Sequence, residues 1–167
     1  MDAEPKLYEG IARNRRRDIA AVERSPPLQT DKLDAAEVTE LYTEPFIRQG
    51  TVPEPEREIS LSRTLTLLEA GSGELIGWRD TIRGNLISVL LVVDGPIDAN
   101  NVLCVATAER RERGLTAWTT WQGLLRAAQR GKRWFDFNGA NSPARAADKH
   151  HFGAAPVLYF DVELGAE

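Results

Sequence analysis

A single cysteine, Cys104, among 167 residues excludes two architectures at once. One thiol closes no intrachain disulfide, and no zinc site built on cysteines can be assembled from it. Cys104 lies in the apolar run NVLCVA and reads as a buried strand residue. Histidine is nearly as scarce. His150 and His151 are adjacent, so on a helix they diverge by about 100° and do not converge on one ion; no metal site is expected. No apolar run approaches the roughly 20 residues that cross a bilayer. The opening MDAEPK has neither the basic nor the hydrophobic region of a secretory signal. The expectation is a cytoplasmic protein with no membrane span. Charge of one sign is not in excess: 21 Lys and Arg against 25 Asp and Glu leave a formal net charge of -4. That excludes an overall basic nucleic-acid binder and an acidic disordered tail, so any partner preference is local. Internal repeats and low-complexity segments are absent too. What is present is 42% apolar residues, enough for one domain with a core and too little chain for two.

Periodicity divides the chain. LYEGIARNRRRDIAAVER predicts a helix over 7–24, with Leu7, Ile11, Ile19 and Val22 near helical spacing, stopped by Ser25, Pro26 and Pro27. An extended piece over 28–30 leads to a second helix over 34–49, with Val38, Leu41 and Tyr42 inward and Pro45 kinking or splitting it. After the loop 51–57 the period becomes that of strands. SRTLTLLEA and ELIGWRDTIR flank a GSG turn, Gly84-Asn85 signals a two-residue hairpin, and LISVLLVV runs to a turn at Asp94-Gly95-Pro96. These strands predict an antiparallel meander. NVLCVA, nearly continuous in apolar character, predicts a central strand. A loop and a helix over 115–130 follow, with Trp118, Trp121, Leu125 and Ala128 on one stripe and Gly131 ending it. Then come a strand KRWFDFN, a helix over 144–151 and a last strand PVLYFDVEL. The fold class is α/β (α+β): a mixed, mostly antiparallel central sheet flanked by helices.

Several segments carry candidate chemistry. GSGELIG superficially matches a dinucleotide loop, but the spacing is wrong and no helix follows to hold a phosphate. RRERGLTAW joins an apolar strand to an amphipathic helix. Unpaired backbone N–H groups at that helix start, with Arg110, Arg111 and Arg113 beside them, suit a pyrophosphate; a solvated basic loop is the equal alternative. In WFDFN, alternation puts Trp134, Asp136 and Asn138 on one face and Phe135 and Phe137 on the other. Asp136 is thus a candidate general base, or a carboxylate that caps a turn. Gly139 and Asn141 suit unusual turn conformations, and Ser142-Pro143 reads as a helix start. Lys149 places a positive charge where an anionic transition state or phosphate would be met, or is an exposed lysine. Arg13, Arg15, Arg16 and Arg17 form the strongest local basic patch, suited to RNA or nucleotide phosphates or to solvent.

The order of elements, the run RNRRRDI on the opening helix and the segment GLTAWTTWQGLLRAAQRGKRWFDFNGANSPARAADKHHFGA resemble the GNAT superfamily of acyltransferases. Within it they resemble the branch of Fem-type aminoacyltransferases and BioF2-like acetyltransferase domains. The pattern that carries the likeness is aromatic-Asp-Phe-x-Gly, then Lys, then Phe-Gly-Ala, over 135–154. The resemblance implies that an acyl donor, acetyl-CoA, enters a splayed gap beside NVLCVA. There a primary amine of a small molecule or peptide attacks the acyl carbonyl while backbone N–H groups steady the oxyanion. It implies a donor site of Arg110, Arg111, Arg113, Gly114, Leu115, Thr116 and Asn141, with Arg111 and Gly114 matching the family's signature and Thr116 standing where it has Gly or Ala. Asp136 or Glu109 would assist deprotonation and Lys149 would stabilise charge. The family's tyrosine acid has no equivalent here, Asp148 and His151 lying nearest. The Fem-type branch further implies an aminoacyl-tRNA donor as an alternative, Lys149 matching the lysine of a late Phe-Lys pair and Asp148 replacing its phenylalanine. Fem-type enzymes carry two tandem domains, so this chain reads as a single domain equivalent to a second half, completed by a homodimer partner or a missing tandem domain. A binding module without catalysis is the third expectation.

Overall fold

LISVLLVVD, almost all leucine and β-branched residues, forms a strand buried along most of its length, and the other strands assemble on either side of it. The computed structural model describes residues 4–51, 72–111, 114–139 and 143–157. In chain order these form α1 (Glu4–Gly10), α2 (Arg13–Glu23), β1 (Leu28–Thr30), α3 (Ala35–Arg48), β2 (Gly73–Arg79), β3 (Leu86–Asp94) and β4 (Asp98–Ala106). A helical turn α4 (Ala108–Arg111), α5 (Leu115–Gln129), β5 (Trp134–Asp136) and α6 (Pro143–His150) complete them. The sheet order is β1-β2-β3-β4-β5. β1 to β4 pair antiparallel, and β5 joins parallel to β4. This is the mixed, mostly antiparallel sheet flanked by helices that the sequence predicts.

Each face of the sheet has its own apolar layer. On one, Val38 and Leu41 of α3 meet Leu86, Val89 and Val105. Asp34 caps α3 by accepting from Ala36 N at 2.8 Å. On the other face, Ile19 of α2 and Trp118 and Trp121 of α5 pack on Trp78, Leu90 and Val92. Trp78 and Trp118 meet edge to face at 5.4 Å, and Tyr8 meets Trp121 at 5.5 Å. The two hydroxyls buried here satisfy one another: Ser88 Oγ lies 2.7 Å from Thr119 Oγ1 and 2.9 Å from Val105 O. α5 runs within one residue of its predicted bounds, and its burial extends all round the first two turns.

The helix predicted over 7–24 is two helices. Ala12 is extended (φ -60, ψ 147) and Ile11, 2% exposed, turns into the core. The break holds because Ala12 N finds a partner outside the helix, His151 O at 2.7 Å. Pro45 neither splits nor ends α3. It lacks only its own N–H, and its carbonyl still accepts from Gln49 N. The predicted two-residue hairpin at Gly84-Asn85 is a six-residue loop, 80–85. Asp80 ends β2 early because its Oδ1 accepts from Ile82 N and Arg83 N, both at 2.9 Å, while Asp80 N donates to Asn85 O. The strand predicted from SRTLTLLEA lies outside the described residues. Of the predicted last strand, Pro156 and Val157 have no regular structure and the rest lies outside too. No described helix is long and apolar enough to cross a membrane.

Asp80 is 6% exposed and pairs with Arg110. The backbone N–H groups of Arg83 and Ile82 hold its carboxyl below the ordinary 3.8, Arg110 adding to this and burial opposing it. A lowered folded value stabilises the fold above pH 3.8, and that contribution is lost as pH falls through the lower folded value. Asp80→Asn is therefore expected to be less stable than the parent at neutral pH, by a margin that shrinks below pH 3.8 in urea unfolding. A margin independent of pH would contradict this role.

Candidate functional site

β4 has nine residues and only three of them, Asp98, Ala99 and Asn100, pair with β5, opposite Trp134, Phe135 and Asp136. Beyond Asn100 the parallel pairing ends, and among the described residues the second half of β4 has no strand partner on that side, which we call the β4–β5 gap. A bulge marks the start of that half: β3 pairs Val92 with Asn101 and Leu91 with Leu103, so Val102 is the extra residue and its backbone is out of the ladder. Val102 is 37% exposed.

Asn138 turns the chain where β5 ends. It has φ 65, a conformation asparagine tolerates better than most residues. Its backbone N–H donates to Asp136 Oδ1 at 2.6 Å and its Nδ2 to Asn101 O at 3.4 Å, a bridge across the closed end of the gap. Lys149 Nζ, from α6, donates to Asn138 O and Gly139 O. Asp136 and Lys149 thus both bond to the backbone of one turn, at Asn138. Phe135, Phe137 and Phe152 stack beneath it on the α5 side, ring centroids 5.0 Å and 5.8 Å apart, while Trp134, Asp136 and Asn138 stay exposed on the other.

At the other end of the gap lies the start of α5. Gly114 has φ 85, and a Cβ there would come 2.8 Å from Asp18 Cβ and 3.1 Å from Asp18 O. Only glycine fits, because the loop is left-handed and pressed against α2. Gly114 offers no capping side chain, so no side-chain cap claims the first N–H groups of α5 among the described residues. Leu115, 3% exposed, anchors the turn. Thr116 Oγ1 is buried with no partner among the described residues. Its carbonyl accepts from Thr120 Oγ1 at 3.0 Å and lies 3.8 Å from Cys104 Sγ, tying the helix start to β4. Burial pushes the Cys104 thiol up to about 11, the Thr120 hydroxyl opposing and the Asp148 charge adding.

The arginines divide. Arg110 turns to Asp80 and Glu109 to Arg83, 3.8 Å away, so both face the β2–β3 loop. Arg111 ends α4. Arg113 and Asn141 lie outside the described residues. Arg15 joins Asp18 at 3.1 Å and reaches Asp148 on α6, and Arg16 lies 5.9 Å over the Tyr8 ring, while Arg13 and Arg17 are exposed. A cavity of about 300 Å³ opens beside β3, between the end of α2 and the Asp80 loop; Val22, Asp80, Ile82, Ile87, Arg110 and Leu115 line it. Sequence reasoning missed Asp80, which binds the nearby Ile82 and Arg83 N–H groups as well as remote Arg110, and it missed Asn101 and the Arg15–Asp148 pair, whose partners are remote in the chain. Among the described residues no three His, Cys, Asp or Glu side chains gather to hold a metal ion.

Solved structures share this architecture. A transcriptional regulator from Bacillus halodurans C-125 matches 84% of this chain and 99% of its own, with TM-score 0.58 and 12% identity. The aminoglycoside antibiotic 6'-N-acetyltransferase of Acinetobacter haemolyticus matches 83% and 99%, with TM-score 0.56 and 12% identity. Glucosamine-6-phosphate N-acetyltransferase of Arabidopsis thaliana matches 82% and 98%, with TM-score 0.53 and 9% identity. No protein-family model matches the chain, and no curated protein matches it significantly. At such identities the likeness shows the fold, the GNAT fold expected from the sequence.

The Cys104 surroundings are directly testable. With its thiol near 11 against an ordinary 9.0, the thiolate fraction at pH 8 falls about a hundredfold. Alkylation by iodoacetamide in the folded protein is expected to be slower than in urea by about that factor. Equal rates would contradict the packing of Cys104 beneath α5.

Proposed function

We propose that this chain is a GNAT-type N-acyltransferase that moves an acetyl group from acetyl-CoA to a primary amine of a small molecule or peptide. The β4–β5 gap carries the reading, because it runs from the Val102 bulge to the uncapped start of α5. A thioester donor with a diphosphate needs both ends. Its phosphates require donors in a positive field, which the N–H groups of Leu115, Thr116 and Ala117 and the helix dipole supply. Its carbonyl requires an N–H free of the ladder, which the bulge supplies at Val102. One further observation fits the cradle: Thr116 Oγ1 is a buried polar atom still without a partner among the described residues.

The chemistry follows from this placement. The amine nitrogen bonds to the acyl carbon, the carbonyl oxygen gathers negative charge at the Val102 N–H, and the carbon–sulfur bond then breaks, releasing the thiolate. Asp136 is the base of choice for the ammonium proton. It pairs with Asn100, two residues before the bulge, whereas Glu109 stands on α4 facing Arg83. Lys149 adds positive charge at the same end through its seat on Asn138 O and Gly139 O. By sequence position, Arg111 and Arg113 are the further candidates for the phosphates. Two solved structures of this fold are N-acetyltransferases, which supports the reading. Placement in the Fem-type branch rests on the sequence resemblance. An aminoacyl-tRNA donor is the less favoured version, because Arg15 and Arg16 already serve Asp18, Asp148 and Tyr8.

Calorimetric titration tests the donor. Acetyl-CoA is expected to bind the chain with micromolar affinity or better, about -8 kcal/mol. Thr116→Glu, which suits a helix N-terminus but repels phosphate, is expected to weaken binding at least about tenfold while preserving the circular dichroism spectrum. Absence of acetyl-CoA binding at low and moderate salt would contradict the proposal.

A further inference from the structure

The gap has a direction. With the donor's phosphates at the α5 start, its acyl end points back along β4 toward the last strand pair, Asn100 with Asp136. From Ala106 to Asn101 that is roughly 17 Å of strand. The inner end is shut in two ways. At strand level Asn138 Nδ2 reaches Asn101 O. On the α5 side stands half-buried Phe137, the first residue past the last pair, its ring 5.0 Å from Phe135 and 5.8 Å from Phe152.

Those neighbours hold the Phe137 ring on two sides. Phe152 is 8% exposed and belongs to the core. Phe135 presses on α5, where a Cβ at Gly123 would lie 3.3 Å from its ring. Lys149 holds the next residue by its carbonyl. A chain of several methylenes entering here must displace a ring in a close-packed stack, which is unfavourable. The opposite face at this level carries exposed Asp136 and Asn138, where an apolar chain gains no burial.

We infer that Phe137 sets the length of the acyl group this protein accepts and restricts it to two or three carbons. The inference rests on the donor reading above, and its test separates the two. Acetyl-CoA, hexanoyl-CoA and free CoA are titrated calorimetrically into the parent chain, Phe137→Ala and the milder Phe137→Leu. The parent is expected to bind hexanoyl-CoA at least about tenfold more weakly than acetyl-CoA. Phe137→Ala is expected to narrow that ratio to about threefold or less, with Phe137→Leu between the two. If Phe137→Ala does not fold, the Leu variant alone decides by whether its ratio falls below the parent's. Equal affinity of the parent for both thioesters, or an unchanged ratio in the variants, overturns the inference while leaving the donor reading intact. No binding of any acyl-CoA by the parent contradicts the donor reading and removes this inference with it.

Discussion

Three residue pairs between β4 and β5 are followed by divergence, and most of the unusual features of this fold serve to keep that divergence fixed. Strands that begin to pair tend to continue, since unpaired N–H and C=O groups invite partners. Here continuation is blocked on both sides. The bulge at Val102 takes β4 out of register with β3 and twists it locally. The positive φ of Asn138 turns β5 away, and Lys149 occupies the carbonyls of Asn138 and Gly139 that a longer ladder would have used.

The two ends of α5 are treated differently. At its C-terminal end, Arg130 grips Asp94 through Nε at 2.8 Å and Glu74 through Nη1 at 2.7 Å, and Lys132 reaches Gly95 O at 2.7 Å. Cations there complement the helix dipole and fasten the helix to the β3–β4 turn. At its N-terminal end no side chain caps the helix, and α2 closes on it from outside, Asp18 against Gly114. α2 in turn holds α6 through Arg15 and Asp148, and Ala12 N bonds to His151 O. The first helices of the chain therefore contact both α6 and the start of α5.

Much of this was legible in the sequence, for local reasons. α5 repeats its apolar stripe over four turns and lies between a glycine at each end, so period and terminators agree. WFDFN alternates, and the structure separates Phe135 and Phe137 from Asp136 as alternation requires. Asp136 and Lys149 were each candidates on local grounds, a carboxylate on a strand's polar face and a lysine on the late helix. Most of what failed to show depended on distant partners. The break at Ile11 and Ala12 needs His151 O, and Arg15 is held by Asp148, 133 residues on. WRDTIR alternates like a strand, and only the capture of two backbone N–H groups by Asp80 makes it a loop. The end of the β4–β5 pairing has no sequence signal, since it is a failure of pairing.

The central claim is that the donor lies along β4 between the bulge and the α5 start. Amide ¹H–¹⁵N shift mapping during titration with acetyl-CoA tests it most directly. The account predicts that the amides of Gly114, Leu115, Thr116 and Val102 move together and saturate at one concentration, while those of Gly131 and Lys132 at the far end of α5 stay in place. Shifts confined to the cavity beside Asp80 and Ile82, or to the exposed arginines of α2, would contradict it.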